Sequence, residues 1–183
     1  MIRRDLRRTL SDHAGVKIVV THDPLEAMAL ADRLVVLEQG RVVQEGTAAD
    51  ISARPRSPYV ADLVGVNLVA GTATGDGLVS DGLTLHAADG GDVGGGDAFA
   101  VVHPRAVSLH RSPPEGSARN VWRGDATSVE VESGRARVQV AIDGSGVTLV
   151  AEVTPAAVAD LRLADGGAVW ASVKATEVSI YAR

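Results

Sequence analysis

The sequence predicts an α/β segment followed by an all-β remainder. Helix and strand signals alternate up to about residue 60, short Val-rich runs broken by glycines follow Pro58, and that second stretch repeats itself once. Only 3% of the 183 residues are aromatic against 45% hydrophobic, so the core must come from Val, Ala, Leu and Ile. The chain has no cysteine, which excludes a disulfide scaffold, a thiolate metal site and a cysteine nucleophile. No apolar run approaches the roughly 18 residues that span a bilayer. The four arginines of residues 1–10 lead into no hydrophobic stretch, so a cytoplasmic address is expected. Residues 1–66 balance nine basic against nine acidic side chains, and the rest carries the whole net charge of −5. There is no basic stripe, so nucleic acid is not an expected partner.

Residues 3–11 read as an amphipathic helix, with Leu6 and Leu10 one turn apart and Gly15 at its end. Residues 16–21 form an almost unbroken β-branched run, the pattern of a strand covered on both faces in a parallel sheet. His22 and Asp23 follow at its C-terminal end, where open α/β sheets place their ligands. Asp23 is expected to cap a helix from Pro24 to Ala31, with Glu26 at its third position. Residues 33–38 and 41–45 around Gln39–Gly40 read as a hairpin, Gly40 supplying the positive φ. Thr47 is expected to cap a short helix through Ile51, which Pro55 and Pro58 break.

The string Val19-Val20-Thr21-His22-Asp23, then Glu26-Ala27, Ala31-Asp32-Arg33, Val36-Leu37, Gly40-Arg41 and Glu45-Gly46-Thr47 resembles the end of an importer-type ABC transporter ATPase domain. The resemblance covers about residues 1–60 and implies that His22 is the switch residue contacting the γ-phosphate of ATP and the attacking water. An imidazole suits that role because it can donate to a phosphate oxygen at neutral pH. No G-x-x-x-x-G-K-[ST] loop, ABC signature or Walker B strand occurs, and residues 90–96 read as a flexible loop. The chain alone is therefore expected neither to bind ATP tightly nor to hydrolyse it. It is read as a fragment of a longer gene product or a truncated reading frame.

The repeat aligns residues 67–73 with 120–126 and residues 95–109 with 166–180. The offset grows from 53 to 71, so the second copy carries about 18 extra residues between the matched ends. Each copy reads as a five-stranded barrel, small for a self-sufficient core, so packing of the two copies together or dimerisation is expected. In the second copy, residues 121–131 are one strand. Residues 135–142 are the next, with Ala136, Val138, Val140 and Ile142 on one face. A turn at 143–146 leads to a strand over 147–153, Thr154 caps a helix from Pro155 to Leu161, and strands follow at 169–173 and 178–181.

Residues 116–182 resemble the molybdenum-binding, molbindin-like MOP (TOBE) domain, through Ser117-Ala118-Arg119-Asn120 and Lys174-Ala175-Thr176-Glu177-Val178. The two resemblances together imply an α/β fragment, the C-terminal end of an ABC ATPase domain, over 1–64. Tandem OB-fold-like MOP barrels would follow at 65–115 and 116–183. They imply the C-terminal portion of the ATP-binding subunit of an ABC molybdate importer. Such a subunit would dimerise through its ATPase and MOP domains, dock on membrane-spanning permease subunits, and lie peripherally on the inner face of the cell membrane. Molybdate is the implied ligand, at Ser117, Ala118, Arg119, Asn120, Lys174, Ala175 and Thr176; ATP and Mg²⁺ belong only to the complete family protein.

The chemistry agrees with that ligand. Molybdate is a tetrahedral dianion with no proton to donate, so its site must supply hydroxyls, backbone N–H groups and positive charge. Glu177 is expected to point away from it. The first copy has Gly65-Val66-Asn67 and His103-Pro104-Arg105 at the signature positions, and Pro104 removes a backbone donor. It is read mainly as a structural partner, with Arg105 or His103 as further contributors. The five histidines show no metal-ligand spacing, so no metal site is expected. Two alternatives remain: an autonomous molybdate-binding or storage module, and the same transport role for sulfate or tungstate.

Overall fold

The computed structural model describes residues 15–88 and 93–183, which divide between Val64 and Gly65 into two compact units. The helix expected over 3–11 and residues 90–92 of the Gly-rich loop lie outside the described residues.

In the first unit, helix α1 (Pro24–Leu30) begins where Asp23 Oδ1 accepts hydrogen bonds from the backbone N–H groups of Leu25 and Glu26, at 2.9 and 3.1 Å. Strands β1 (Leu34–Glu38) and β2 (Arg41–Gly46) form the expected antiparallel hairpin. Its turn has positive φ at both Gln39 and Gly40, so Gly40 is not the only left-handed residue there. Helix α2 (Ala48–Ala53) is closed by a reciprocal box. Thr47 Oγ1 accepts from the Asp50 N–H, while Asp50 accepts from the Thr47 N–H and hydroxyl, which lowers the Asp50 pKa. Val36, Ile51 and Val60 make a small core with Leu34, Val43 and Val64 against it.

One expectation fails in this unit. Residues 16–21 form no strand, and Val16, Ile18 and Val20 are 94, 85 and 94% exposed. A strand exists through its ladder partners, and no described segment pairs with this run, so its β-branched composition alone does not make one. The helix capped by Thr47 ends at Ala53, ahead of Pro55 as expected, and Pro58 opens a further helix, α3 (Pro58–Val64). The Ser57 hydroxyl accepts from the Val60 N–H, and a proline in the first turn lacks only a donor that would have had no partner.

The second unit is almost all β. Its strands are β3 (Asn67–Thr74), β4 (Gly77–Ser80), β5 (Leu83–His86), β6 (Gly96–Val102), β7 (Ser108–His110), β8 (Asn120–Glu132), β9 (Arg135–Ile142), β10 (Thr148–Val153), β11 (Gly167–Val173) and β12 (Val178–Ala182). They form two five-stranded antiparallel sheets, ordered β12-β6-β3-β4-β5 and β10-β9-β8-β11-β7. Each sheet therefore takes four strands from one copy of the repeat and its fifth from the other. The segments that cross over contain matching 3-10 turns, Pro104–Ala106 and Ala175–Glu177. Helix α4 (Pro155–Asp160) sits between β10 and β11, capped by the Thr154 hydroxyl, which accepts from the Ala157 N–H.

One continuous core joins both sheets. Ala136, Val138, Val140 and Ile142 are all buried on the face expected for them, beside Leu78, Leu85, Val102, Leu149, Ala171 and Val173. The repeat is also visible in backbone clearance. A Cβ on Gly71 would stand 2.3 Å from the Val79 carbonyl oxygen, and one on the equivalent Gly124 would stand 2.3 Å from that of Ala141. Only glycine allows the chain to approach so closely at either place.

Two equivalent asparagines tie the copies together. Asn120 Nδ2 donates to the His86 carbonyl at 2.9 Å and its Oδ1 accepts from the His86 N–H at 2.7 Å. Asn67 grips the backbone of Val150 in the same two-pronged way, at 2.9 and 2.6 Å. Each asparagine is buried, and each holds the third strand of the other copy.

Candidate functional site

The exchange brings the two crossing segments to one side of the second sheet, where they frame an open cleft of about 610 Å³. The first copy lines it with His103, Arg105, Ala106 and Ser108, and the second with Ala118, Ser172, Lys174 and Glu177. Strand β11 pairs Val173 with Asn120 of β8, so residues 117–119 and Lys174 leave the sheet side by side. Ala118 and Lys174, expected at an anion site, thus do meet. Ser117, Arg119, Ala175 and Thr176 flank the cleft without lining it.

Some of the expectations for this region change. Asn120 has both polar groups of its side chain committed to the His86 backbone, so that amide has a holding role rather than a free donor. The Ala175 carbonyl accepts from the Ala88 N–H at 3.0 Å, which pins the 3-10 turn and leaves the expectation for the Ala175 N–H as it was. Glu177, expected to lie away from the anion, is among the residues that line the cleft, beside Arg105 and Lys174. The first copy is more than a scaffold here, since half of the lining is its own.

His103 and Lys174 occupy equivalent positions ahead of the two turns but are used differently. His103 Nδ1 accepts from the Arg105 N–H at 3.2 Å, so the proton of the neutral ring sits on Nε2. The Arg105 guanidinium then approaches that Nε2 at 3.4 Å donor to donor, which is no hydrogen bond. Burial first, and Arg105 second, hold the His103 pKa below its ordinary value, with Arg137 adding to this and Glu152 opposing it. The ring is therefore a neutral single donor at pH 7. Lys174 makes no side-chain cap bond, because an ammonium cannot accept one. Arg105 lies 3.8 Å from Glu152, whose carboxylate is held more closely by Arg135 at 2.8 Å.

The floor of the cleft carries a pair that no spacing in the sequence announces. Ser172 is 6% exposed, and its Oγ lies 2.9 Å from His110 Nε2. Among the described residues no cluster of three or more His, Asp or Glu side chains could hold a metal ion. None of their helices is long and apolar enough to cross a membrane. His22 is exposed, and its neighbours Thr21, Asp23 and Glu26 are engaged in capping α1.

Residues 116–180 match the TOBE domain family. The chain is 37% identical to the molybdenum import ATP-binding protein ModC of Mycobacterium tuberculosis, over 98% of this chain and 50% of that protein. It is 36% identical to the sulfate/thiosulfate import ATP-binding protein CysA of Burkholderia mallei, over 97% and 50%. With the molybdate/tungstate import ATP-binding protein WtpC of Pyrococcus abyssi the identity is 32%, over 88% and 46%. The chain spans about half the length of these curated relatives. Among solved structures, the cytoplasmic molybdate-binding protein ModG with molybdate bound superposes with a TM-score of 0.52 and 27% identity, over 64% of this chain and 95% of that one.

Proposed function

The chain is a homologue of the C-terminal part of the ATP-binding subunits of molybdate, tungstate and sulfate importers, with a TOBE domain at residues 116–180, and from this we propose that its second unit is the oxyanion-sensing end of such a subunit. The ligand is a tetrahedral dianion, molybdate in the first instance, taken up in the cleft between the two crossing segments. The observation that carries this reading is the convergence there of Lys174 and Ala118 from one copy with Arg105 and His103 from the other.

The residues present suit such a guest. Lys174 and Arg105 supply positive charge, and the neutral His103 ring supplies its Nε2–H. The small Ala118 and Ala106 leave room for close approach. Glu177 disfavours a more highly charged anion and offsets part of the field, so the site binds through local contacts in a half-chain of net negative charge. Ser117, Arg119, Ala175 and Thr176 sit at the rim and complete the donor set, while Asn120 holds the rim to the other copy. The tandem OB-fold-like barrels then act as a sensor of oxyanion level.

In the complete subunit, residues 1–64 form the end of the ATPase domain and His22 is its switch residue. The subunit dimerises and docks on permease subunits at the inner membrane face. This chain has no phosphate-cradling G-x-x-x-x-G-K-[ST] loop, so its own residues do not fit a nucleotide. A second reading, an autonomous molybdate-binding module, is favoured by one observation: the molybdate-bound neighbour is matched over 95% of its length.

Isothermal titration of the chain with molybdate tests the site. Binding by the wild type, weakened about thirtyfold in Lys174→Ala, is the expected result, as for loss of one charge-assisted hydrogen bond. Equal binding by both removes Lys174 from the site, and no binding by the wild type removes the sensing role.

A further inference from the structure

The floor of the cleft differs from every other part of its lining in being buried and in being held by a histidine from outside it. Along β11, Ala171 and Val173 face the core, at 0 and 1% exposure, so Ser172 faces the opposite side. Strand β7 pairs Ser108 with Ser172 and His110 with Trp170, so His110 is the diagonal neighbour of Ser172 on that same face. At 6% exposure, the Ser172 hydroxyl has few partners to choose from: the His110 ring, at 2.9 Å, and whatever enters the cleft.

A hydroxyl has one proton, and the partner of its oxygen decides where that proton goes. If His110 Nε2 is bare, Ser172 donates into the ring and presents only lone pairs to the cleft, which a dianion would repel. If His110 Nε2 carries its proton, the ring donates to Ser172 Oγ, and the serine O–H is released toward the cleft. Resting on the oxyanion reading of the cleft, we infer that Ser172 is a direct ligand of the anion and that His110 is the positioning residue that turns its hydroxyl outward.

The repeat supplies an internal comparison. The positions equivalent to Ser172 and His110 at the other crossing are Val101 and Tyr181, which hold no such pair. The polar couple stands only at the crossing that carries the cleft and Lys174.

The test combines titration and NMR on the whole chain. With molybdate as the probe, Ser172→Ala binds about tenfold more weakly than wild type, as for loss of a hydrogen bond to a charged group. Ser172→Thr, which keeps the hydroxyl, recovers most of that loss. His110→Gln, whose amide nitrogen replaces Nε2–H as donor, stays closer to wild type than His110→Phe does. Thermal melting of each variant separates lost binding from lost folding. In the 15N spectrum of the imidazole, saturating molybdate leaves His110 protonated on Nε2. A bound state with Nε2 bare, or equal affinity in Ser172→Ala and wild type, overturns the inference while leaving the cleft intact. Failure of the wild type to bind molybdate overturns the underlying reading instead.

Discussion

At one crossing β7 lies against β11, with His110 beside Trp170 and Ser108 beside Ser172; at the other β12 lies against β6, with Tyr181 beside Phe99 and Ser179 beside Val101. Backbone plan, turn and register are shared. The side chains are not. At the second crossing the Phe99 and Tyr181 rings stand 6.0 Å apart in a tilted pair, Arg183 lies 5.5 Å over Phe99, and Tyr181 is buried. That junction is a piece of core. The first junction keeps Ser108, Ser172, Lys174 and Arg105 around an open cleft instead. A duplicated unit can thus preserve one joint for cohesion while the other carries chemistry, because the strand exchange supplies the cohesion twice over.

The largest effects test that shared plan. Asn67→Ala and Asn120→Ala each remove two hydrogen bonds and leave a backbone N–H and C=O of the other copy without partners. Each should lower unfolding free energy in a denaturant titration by about 3 kcal/mol. Near-equal losses fit two equivalent locks. A stability loss at Asn67 alone would give Asn120 a different task. Gly71→Ala and Gly124→Ala come next, with losses of about 2 kcal/mol each from the clash with a carbonyl oxygen.

The difference between the junctions is sharpened by exchange of their residues. Val101→Ser together with Tyr181→His imports the polar pair into the apolar crossing. It should destabilise the fold by burying polar groups, and it should create no second molybdate site, since titration reads the stoichiometry. A second equivalent of bound anion would mean that the pair, rather than the surrounding cations, makes the site.

The smallest effect is on pH. In the free protein His103 is held neutral by burial and by Arg105, with Arg137 adding to this and Glu152 opposing it, while Lys174 and Glu177 share its cleft. A bound dianion favours the imidazolium, so binding takes up a fraction of a proton. Molybdate affinity should therefore rise a fewfold from pH 8 to pH 6. His103→Gln should flatten that slope.

Much of this was legible in the sequence where the signal is local. The Asp23 and Thr154 caps, the Gln39–Gly40 hairpin, and the buried face of β9 follow from turn chemistry and period-two patterning. The repeat itself was visible through Asn67/Asn120 and Gly71/Gly124. What the pattern could not carry was partnership. A strand that crosses over has the same alternation as one that folds back, so the exchange of β7 and β12 is invisible in it. Residues 16–21 have every strand preference and no described ladder partner. At the candidate site, Lys174 and Ala118 were readable from their signatures. His110 and Ser172 lie 62 residues apart and meet only because β7 pairs with β11.

The central claim is that an oxyanion sits between the two crossing segments at the β7–β11 junction and nowhere else on the repeat. Anomalous diffraction at the molybdenum edge, from crystals of the chain soaked in molybdate, locates the metal centre directly. The account predicts one strong peak in the cleft, within contact distance of Lys174, Ser172 and the His103–Arg105 segment. A peak at the Phe99–Tyr181 crossing, or none in the cleft at saturating molybdate, would contradict it.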